Sequence, residues 1–288
     1  MASWSRSSVN VLGVGFDAVT LEQAVARIAS FVDESRRRRD VAARRSDAAA
    51  SGSEAAAGGS GEAPEAELAA RMVVTANPEI VHASRSDGEL VEALSSADMV
   101  LADGVGVVWA AGMLGRPLPG RVAGADLAEA LLAEGARRGW RFFLLGGKPG
   151  VAVAAQASVE RRFPGVVVAG TAHGYFRPAD EEGVIYAVND AGADIVLVGL
   201  GAPRQEKWIW RNRGRISAGV CIGVGGTLDV FAGAVKRAPP VFRKAGLEWF
   251  YRLVTQPWRY KRMMRLPAFA VEVLVTKFWR GADDSRGR

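Results

Sequence analysis

Six short runs in this chain are apolar at almost every position rather than at alternate ones, and helix-length segments separate them. They fall at 72–75, 99–102, 142–145, 166–169, 195–199 and 220–224. A strand that is apolar on both faces must be covered on both, which is the condition of a parallel sheet inside helical layers. The intervening stretches ADLAEALLAEGARR, VAVAAQASVERRF and PRQEKWIWRN carry helical spacing. The expected architecture is therefore α/β: a doubly wound, mostly parallel, Rossmann-like sheet. Ligands of such sheets bind at the carboxyl ends of the strands, near a topological switch point. Polar residues and glycines gather there: Thr75 and Asn77, Asp103, Gly146 and Gly147, Gly170 to Tyr175, Gly201 to Gln205, and Gly225 to Asp229.

Five segments are expected. Residues 1–34 (…VNVLGVGFDAVTLEQAVARIASFVDE) read as a first strand, a turn and a helix of the core, the helix opened by a capping box pairing Thr20 with Gln23. Residues 35–70 consist largely of Arg, Ala, Ser, Gly and Glu, offer little to bury, and read as a disordered insertion. The arginines at 36–39 read as a solvated charge run, with nucleic acid or acidic lipid as the alternative partners. Residues 71–240 form the α/β core, 241–280 a basic and aromatic helical appendage, and 281–288 a disordered tail.

Charge is uneven along the chain. The net charge is +6, and between 236 and 265 nine Lys and Arg residues stand against Glu248 alone, which marks a cationic surface. A single cysteine, Cys221, excludes a disulfide framework and a cysteine metal cluster, which fits a reducing cytosol. The start lacks the pattern of an export leader and no eighteen-residue apolar stretch occurs, so neither export nor a membrane span is expected.

Several chemistries lack their residues. His82 and His173 are too few and too far apart for a histidine metal site, and HExxH, Asp-x-Asp and G-x-S-x-G are absent. In DGVGVVWAAG, Gly104 and Gly106 begin a dinucleotide fingerprint, but Trp109 stands where the third glycine belongs. LLGGKPG, with Gly146 and Gly147, suits a general phosphate cradle, serving a sugar-nucleotide diphosphate as well as a dinucleotide. It is not a Walker loop, because Lys148 directly follows the glycine pair and no Ser or Thr comes next. The other reading is a tight strand-to-helix turn. If phosphates are bound, arginine and backbone N–H groups must neutralise them.

Asp103 has two readings. It caps the following helix, or it is a general base, a carboxylate against the apolar wall of VLA and VGVVWA that takes a proton from a hydroxyl. Arg121 in GRVAGADL suits a bidentate grip on a leaving phosphate, or a surface ion pair. Gln205, in the first turn after Pro203, can donate and accept at once, as a sugar hydroxyl or acetamido group requires.

In this order and spacing, TANPEIV, ADGVGVVWA, GRVAGADL, LLGG, HGYF, GLGAPRQEKWI, GVGGTLDVFAG and RAPPVFRKAGLEWFYRLVTQPWRYKR resemble the WecG/TagA/CpsF glycosyltransferases. The resemblance covers 9–32 and 72–265 and skips the insertion. It implies a bacterial enzyme that moves a sugar, most often N-acetylmannosamine, from a UDP-sugar donor to a polyprenyl-diphosphate-linked N-acetylglucosamine acceptor. The work is done at the inner face of the cell membrane, for cell-wall or surface polysaccharide. It implies inversion at the sugar, no metal and no cofactor, no nucleic acid partner, and leaves homo-oligomers open. Matched residue by residue, Asp103 is the base, Thr75 and Asn77 line the same pocket, and Arg121 and Gln205 sit at active-site positions. Tyr175 and Asp229 match positions that contact uridine. Arg252, Arg259 and Arg262 match functional arginines of an appendage held to complete the site at the membrane. A dinucleotide-dependent oxidoreductase and a non-catalytic membrane-surface module are the competing readings.

Overall fold

The computed structural model describes residues 7–50, 69–255 and 264–286, with no account of the side chains at 46–50, 243, 244, 252 and 280–286. The chain begins with an antiparallel hairpin, β1 (Ser8–Val11) and β2 (Val14–Asp17). Its turn places Leu12 and Gly13 at φ 51° and 96°, and Asn10 Oδ1 accepts from Gly13 N at 3.0 Å. Two successive positive φ values match the right-handed twist of the flanking strands. This corrects the expectation of one leading core strand: the hairpin is a separate two-stranded sheet. It still serves the core, because the buried Asp17 accepts from Val100 N at 2.8 Å on the edge strand beside it.

Six strands form the main sheet: β3 (Arg71–Ala76), β4 (Met99–Ala102), β5 (Arg141–Gly146), β6 (Val167–Ala172), β7 (Ile195–Gly199) and β8 (Val220–Gly223). Every pairing is parallel, in the order β4-β3-β8-β7-β5-β6. All six lie where the apolar runs put them. Alternate residues feed two cores, Met72, Val74, Val100 and Val198 on one face and Val73, Leu101, Leu144 and Ile222 on the other. The chain moves outward from β3 to β4, crosses to β5, moves outward again to β6, and fills the gap last with β7 and β8. The carboxyl ends of β3, β8 and β7 thus meet where the direction of travel reverses, as the switch-point rule requires.

Helix α1 (Leu21–Ala50) carries the expected capping box: Gln23 Oε1 accepts from Thr20 N at 2.9 Å and Thr20 Oγ1 from Gln23 N at 3.3 Å. It also corrects the boundary of the insertion, since residues 35–50 continue the helix. Nor is the arginine run wholly solvated. Asp194, buried at the start of β7, accepts from Arg36 Nε at 3.1 Å and Nη2 at 2.6 Å, from Arg39, and from the Arg141 N–H at 2.9 Å. Burial pushes the Asp194 carboxyl up, but the Arg36, Arg141 and Arg39 hydrogen bonds together hold it below the ordinary aspartate value. The rest of the expected insertion, 51–68, lies outside the described residues.

The helices that follow the strands are α2 (Pro78–Ser84), α3 (Gly88–Ser95), α4 (Val105–Met113), α5 (Gly124–Arg138), α6 (Val151–Arg162), α7 (Glu181–Asp190), α8 (Arg204–Asn212) and α9 (Thr227–Phe231). The appendage supplies α10 (Pro240–Lys244), α11 (Glu248–Thr255) and α12 (Arg265–Arg286). Pro267 falls in the first turn of α12, where its missing N–H costs no helical bond, so it opens a long helix instead of breaking one. The helix runs through 281–286, which were expected in a disordered tail. Phe269 and Val273 of α12 join the core, and His82 Nδ1 on α2 lies 3.0 Å from Glu272 Oε1.

Candidate active site

A cavity of about 650 Å³ opens over the carboxyl ends of β4, β3, β8 and β7, within the roughly 300–1,000 Å³ typical of small-molecule sites. Its floor comes from the strand ends, one wall from Gly104 to Trp109 and Arg121, and its cover from the appendage, with Trp249, Leu253, Leu266, Phe269 and Ala270. Because every strand is parallel, the helices that follow them start on the cavity's side of the sheet, and some of them start at the cavity itself. The first turns of α4, α5 and α8 border it through Val105, Ala125 and Gln205, so their unpaired N–H groups favour negative charge there.

Thr75, Asn77, Asp103, Arg121 and Gln205 all line this one cavity. Asp103 does not cap the helix it precedes, for α4 has Gly104 at its N-cap and no side-chain cap bond. Instead Asp103 Oδ2 accepts from Gly124 N at 3.4 Å, the first residue of α5, while its own N–H extends the ladder to Ala76 O at 2.9 Å. Thr75 is buried and donates its hydroxyl to Gly223 O at 2.8 Å, tying β3 to β8. Asn77 caps α2, its Oδ1 accepting from Ile80 N at 3.0 Å, which leaves its amide Nδ2 as the group for a ligand. Gln205, 2% exposed, accepts from Gly225 N at 3.0 Å and donates to Glu206 Oε1 at 2.8 Å. It holds the turn after β8 and keeps one N–H to offer.

Arg121 is restrained by Glu248 Oε2 at 3.4 Å and by Asp126 Oδ2 at 3.7 Å. Asp126 also pairs with Arg237, which reaches Glu129 Oε2 at 3.6 Å. Glu248 and Arg237 both line the cavity, and neither was singled out in the sequence as a site residue. Their signal was present: the lone acid of the basic segment, and an arginine in an otherwise small and proline-rich stretch.

The other expected donor-side residues lie elsewhere. Gly146 ends β5, Gly147 follows it in the turn, and neither lines the cavity. Gly146, at φ +151°, stands so close to β7 that a Cβ would come within 2.5 Å of Gly199 O. Gly147 O accepts from Gly174 N at 2.8 Å, joining the turn to the HGYF loop. Arg204 braces that loop from α8, donating to Gly174 O at 2.8 Å with its guanidinium 5.1 Å from the Phe176 ring centroid. Tyr175, 65% exposed, stands on the loop outside the cavity. Asp229 lies on α9, its Oδ2 3.8 Å from where a side chain on Gly226, a cavity residue, would begin. The glycines of DGVGVV have a packing role: a Cβ on Gly106 would come within 2.8 Å of Pro78 Cγ. Arg252 is on α11, and Arg259 and Arg262 lie outside the described residues. Among the described residues no group of three or more His, Cys, Asp or Glu is placed to hold a metal ion, and no helix is long and apolar enough to cross a membrane.

The family model described as "Glycosyl transferase WecG/TagA/CpsF family" matches residues 53–283. Among curated proteins, the chain is 39% identical over 203 residues to an N-acetylglucosaminyldiphosphoundecaprenol N-acetyl-beta-D-mannosaminyltransferase of Bacillus subtilis, covering 70% of this chain and 78% of that one. A protein of the same name from Bacillus spizizenii is 40% identical over 202 residues, with the same coverage. One from Staphylococcus aureus is 32% identical over 273 residues, 95% of this chain and 94% of the relative.

Proposed function

The chain belongs to the WecG/TagA/CpsF family of glycosyl transferases, and from that premise we propose that it moves N-acetylmannosamine from a UDP-sugar to a polyprenyl-diphosphate-linked N-acetylglucosamine, with inversion and without a metal. The curated relatives are named for N-acetylmannosamine transfer to N-acetylglucosaminyldiphosphoundecaprenol. The observation that carries the reading is Asp103: a carboxylate between apolar strand and helix residues, in one cavity with Arg121 and three helix N-termini.

In the proposed reaction Asp103 takes the proton from the acceptor sugar's hydroxyl as that oxygen bonds to the donor's anomeric carbon. The bond from that carbon to the diphosphate breaks on the opposite side, and UDP leaves with the electron pair. Arg121, steadied by Glu248 and Asp126, and the N-termini of α5 and α8 meet the negative charge as it develops. Asn77 Nδ2 and the remaining N–H of Gln205 position hydroxyl or acetamido groups, and Thr75 keeps its lone pairs for the same task. Tyr175 stacks on the uracil and Asp229 accepts from its N–H, while Gly146 and Gly147 act on the donor through the loop they anchor. The exposed Leu247, Trp249, Phe250 and Val254, with Phe278 and Trp279 of α12, support a peripheral seat on the membrane's inner face, where aromatic rings sit at headgroup level. Arg252, Arg259 and Arg262 would meet lipid or acceptor phosphates there.

A panel of UDP-sugars with a short-chain polyprenyl-diphosphate N-acetylglucosamine, with and without EDTA, tests the reading. Asp103→Asn should lower kcat by at least about a hundredfold while UDP affinity stays within about twofold. Turnover at the wild-type rate in that variant sinks the assignment of the base, and loss of activity in EDTA sinks the metal-free mechanism.

A further inference from the structure

Helix α4, VGVVWAAGM, is apolar along its whole length, which calls for cover on every side. One face gives Val107, Ala110 and Ala111 to the core. The other, Val105, Val108, Trp109, Gly112 and Met113, follows the i, i+3, i+4, i+7, i+8 stripe of a second apolar face and lines a groove whose one charged lining residue among those described is Arg121. Val105 and Trp109 are each 41% exposed. Val105, Trp109 and Arg121 also line the main cavity, so the groove opens from it with the ion-paired Arg121 guanidinium at its mouth. From Val105 to Met113 the stripe runs about 12 Å along the helix.

We propose that this groove holds the first isoprene units of the acceptor's polyprenyl chain, an assignment that rests on the acceptor reading above. A lipid diphosphate joins a doubly charged head directly to an apolar chain. The site offers the matching sequence, an arginine at the cavity and then an aliphatic and aromatic stripe leading away from it. Gly112 provides the room: it is exposed, and a Cβ built on it meets nothing within 4 Å.

Gly112 also supplies the test, because a helical glycine accepts a larger residue without loss of fold and gains helix propensity. Binding is measured by calorimetry with farnesyl diphosphate and with inorganic diphosphate, using the full chain. Wild type should bind the farnesyl compound at least about tenfold more tightly. Gly112→Ala should keep that ratio, whereas Gly112→Phe, filling the groove, should reduce it to about twofold or less with the inorganic diphosphate affinity unchanged. A wild-type ratio near one, an undiminished ratio in Gly112→Phe, or equal loss of both ligands overturns the proposal. So does a dimer in sedimentation that Gly112→Phe abolishes while the ratio stays unchanged, since that assigns the stripe to a second copy. The probes carry no sugar, so failure of sugar transfer leaves this result standing, and chain-independent binding leaves the transfer reading standing.

Discussion

Replacing Asp194 with asparagine should loosen the amino-terminal helix from the sheet. The carboxylate is 3% exposed, and it accepts from both Arg36 and Arg39 as well as from the Arg141 backbone N–H. Removing one partner of a fully buried ion pair costs about 3–5 kcal/mol. Here the guanidinium groups are 35% and 32% exposed, so they can rehydrate once the charge is gone, and the asparagine oxygen can still accept from Arg141. The expected loss is therefore about 2–3 kcal/mol, read as a fall in the urea midpoint of about 1 M with an unchanged slope. The carboxyl is held below its ordinary value in the folded protein, so its contribution is present above the ordinary aspartate pKa of about 4 and lost as pH falls through the lowered native value. The gap between wild type and Asp194→Asn should narrow progressively below about pH 4. A loss under about 0.5 kcal/mol at pH 7, or a gap that persists in acid, refutes the reasoning. Asp194 lies at the amino end of β7, opposite the cavity, so sugar-transfer kinetics should not change.

Other outcomes can be checked at the site and in the core. Gly146→Ala places a Cβ 2.5 Å from Gly199 O at φ +151° and should cost about 3 kcal/mol, seen as a lowered Tm. Glu248→Gln removes the charge that restrains Arg121 from the appendage and should reduce kcat/KM by about tenfold with the circular dichroism spectrum unchanged; an unchanged kcat/KM shows that Asp126 alone suffices. Complete burial pushes the Cys221 thiol up to about 12, so a disulfide reagent at pH 8 should react with it only after urea unfolding. Reaction of the native protein at the unfolded rate contradicts that burial.

The parallel sheet was legible because covering both faces of a strand leaves an unbroken apolar run, and all six runs became strands. The hairpin was not, although VNV and VGF alternate around Leu-Gly with the period of a half-buried ribbon. Residues 35–50 were misread for a different reason. Ala and Arg bury little, yet they are among the strongest helix formers, and the partner that fixes Arg36 and Arg39 lies more than 150 residues away at Asp194. Residues fixed by strand ends, such as Thr75, Asn77 and Asp103, could be placed from sequence, since topology sends every carboxyl end to one side. Arg237 and Glu248 depend on how the appendage folds back, which no local pattern encodes. Tyr175 and Gly146 match motifs yet stand away from the cavity, because neighbourhood in a motif does not specify which side of a loop faces a ligand.

The long α1 also bears on how such a chain can vary. Ser35 packs where a side chain on Gly219 would begin, and Arg36 donates to Gly139 O, just ahead of β8 and β5. The chain returns to the same rim at Ala70, whose N–H donates to Arg213 O. Helix α1 therefore passes, and the chain at Ala70 re-enters, at the amino ends of the strands, the side of the sheet remote from the cavity. Growth of a closed loop is thermodynamically cheap, each doubling costing only about 0.6 kcal/mol. The sheet thus has one rim that holds the cavity and another that lies away from it, which makes the stretch between α1 and β3 a natural place to splice in a reporter or a tether.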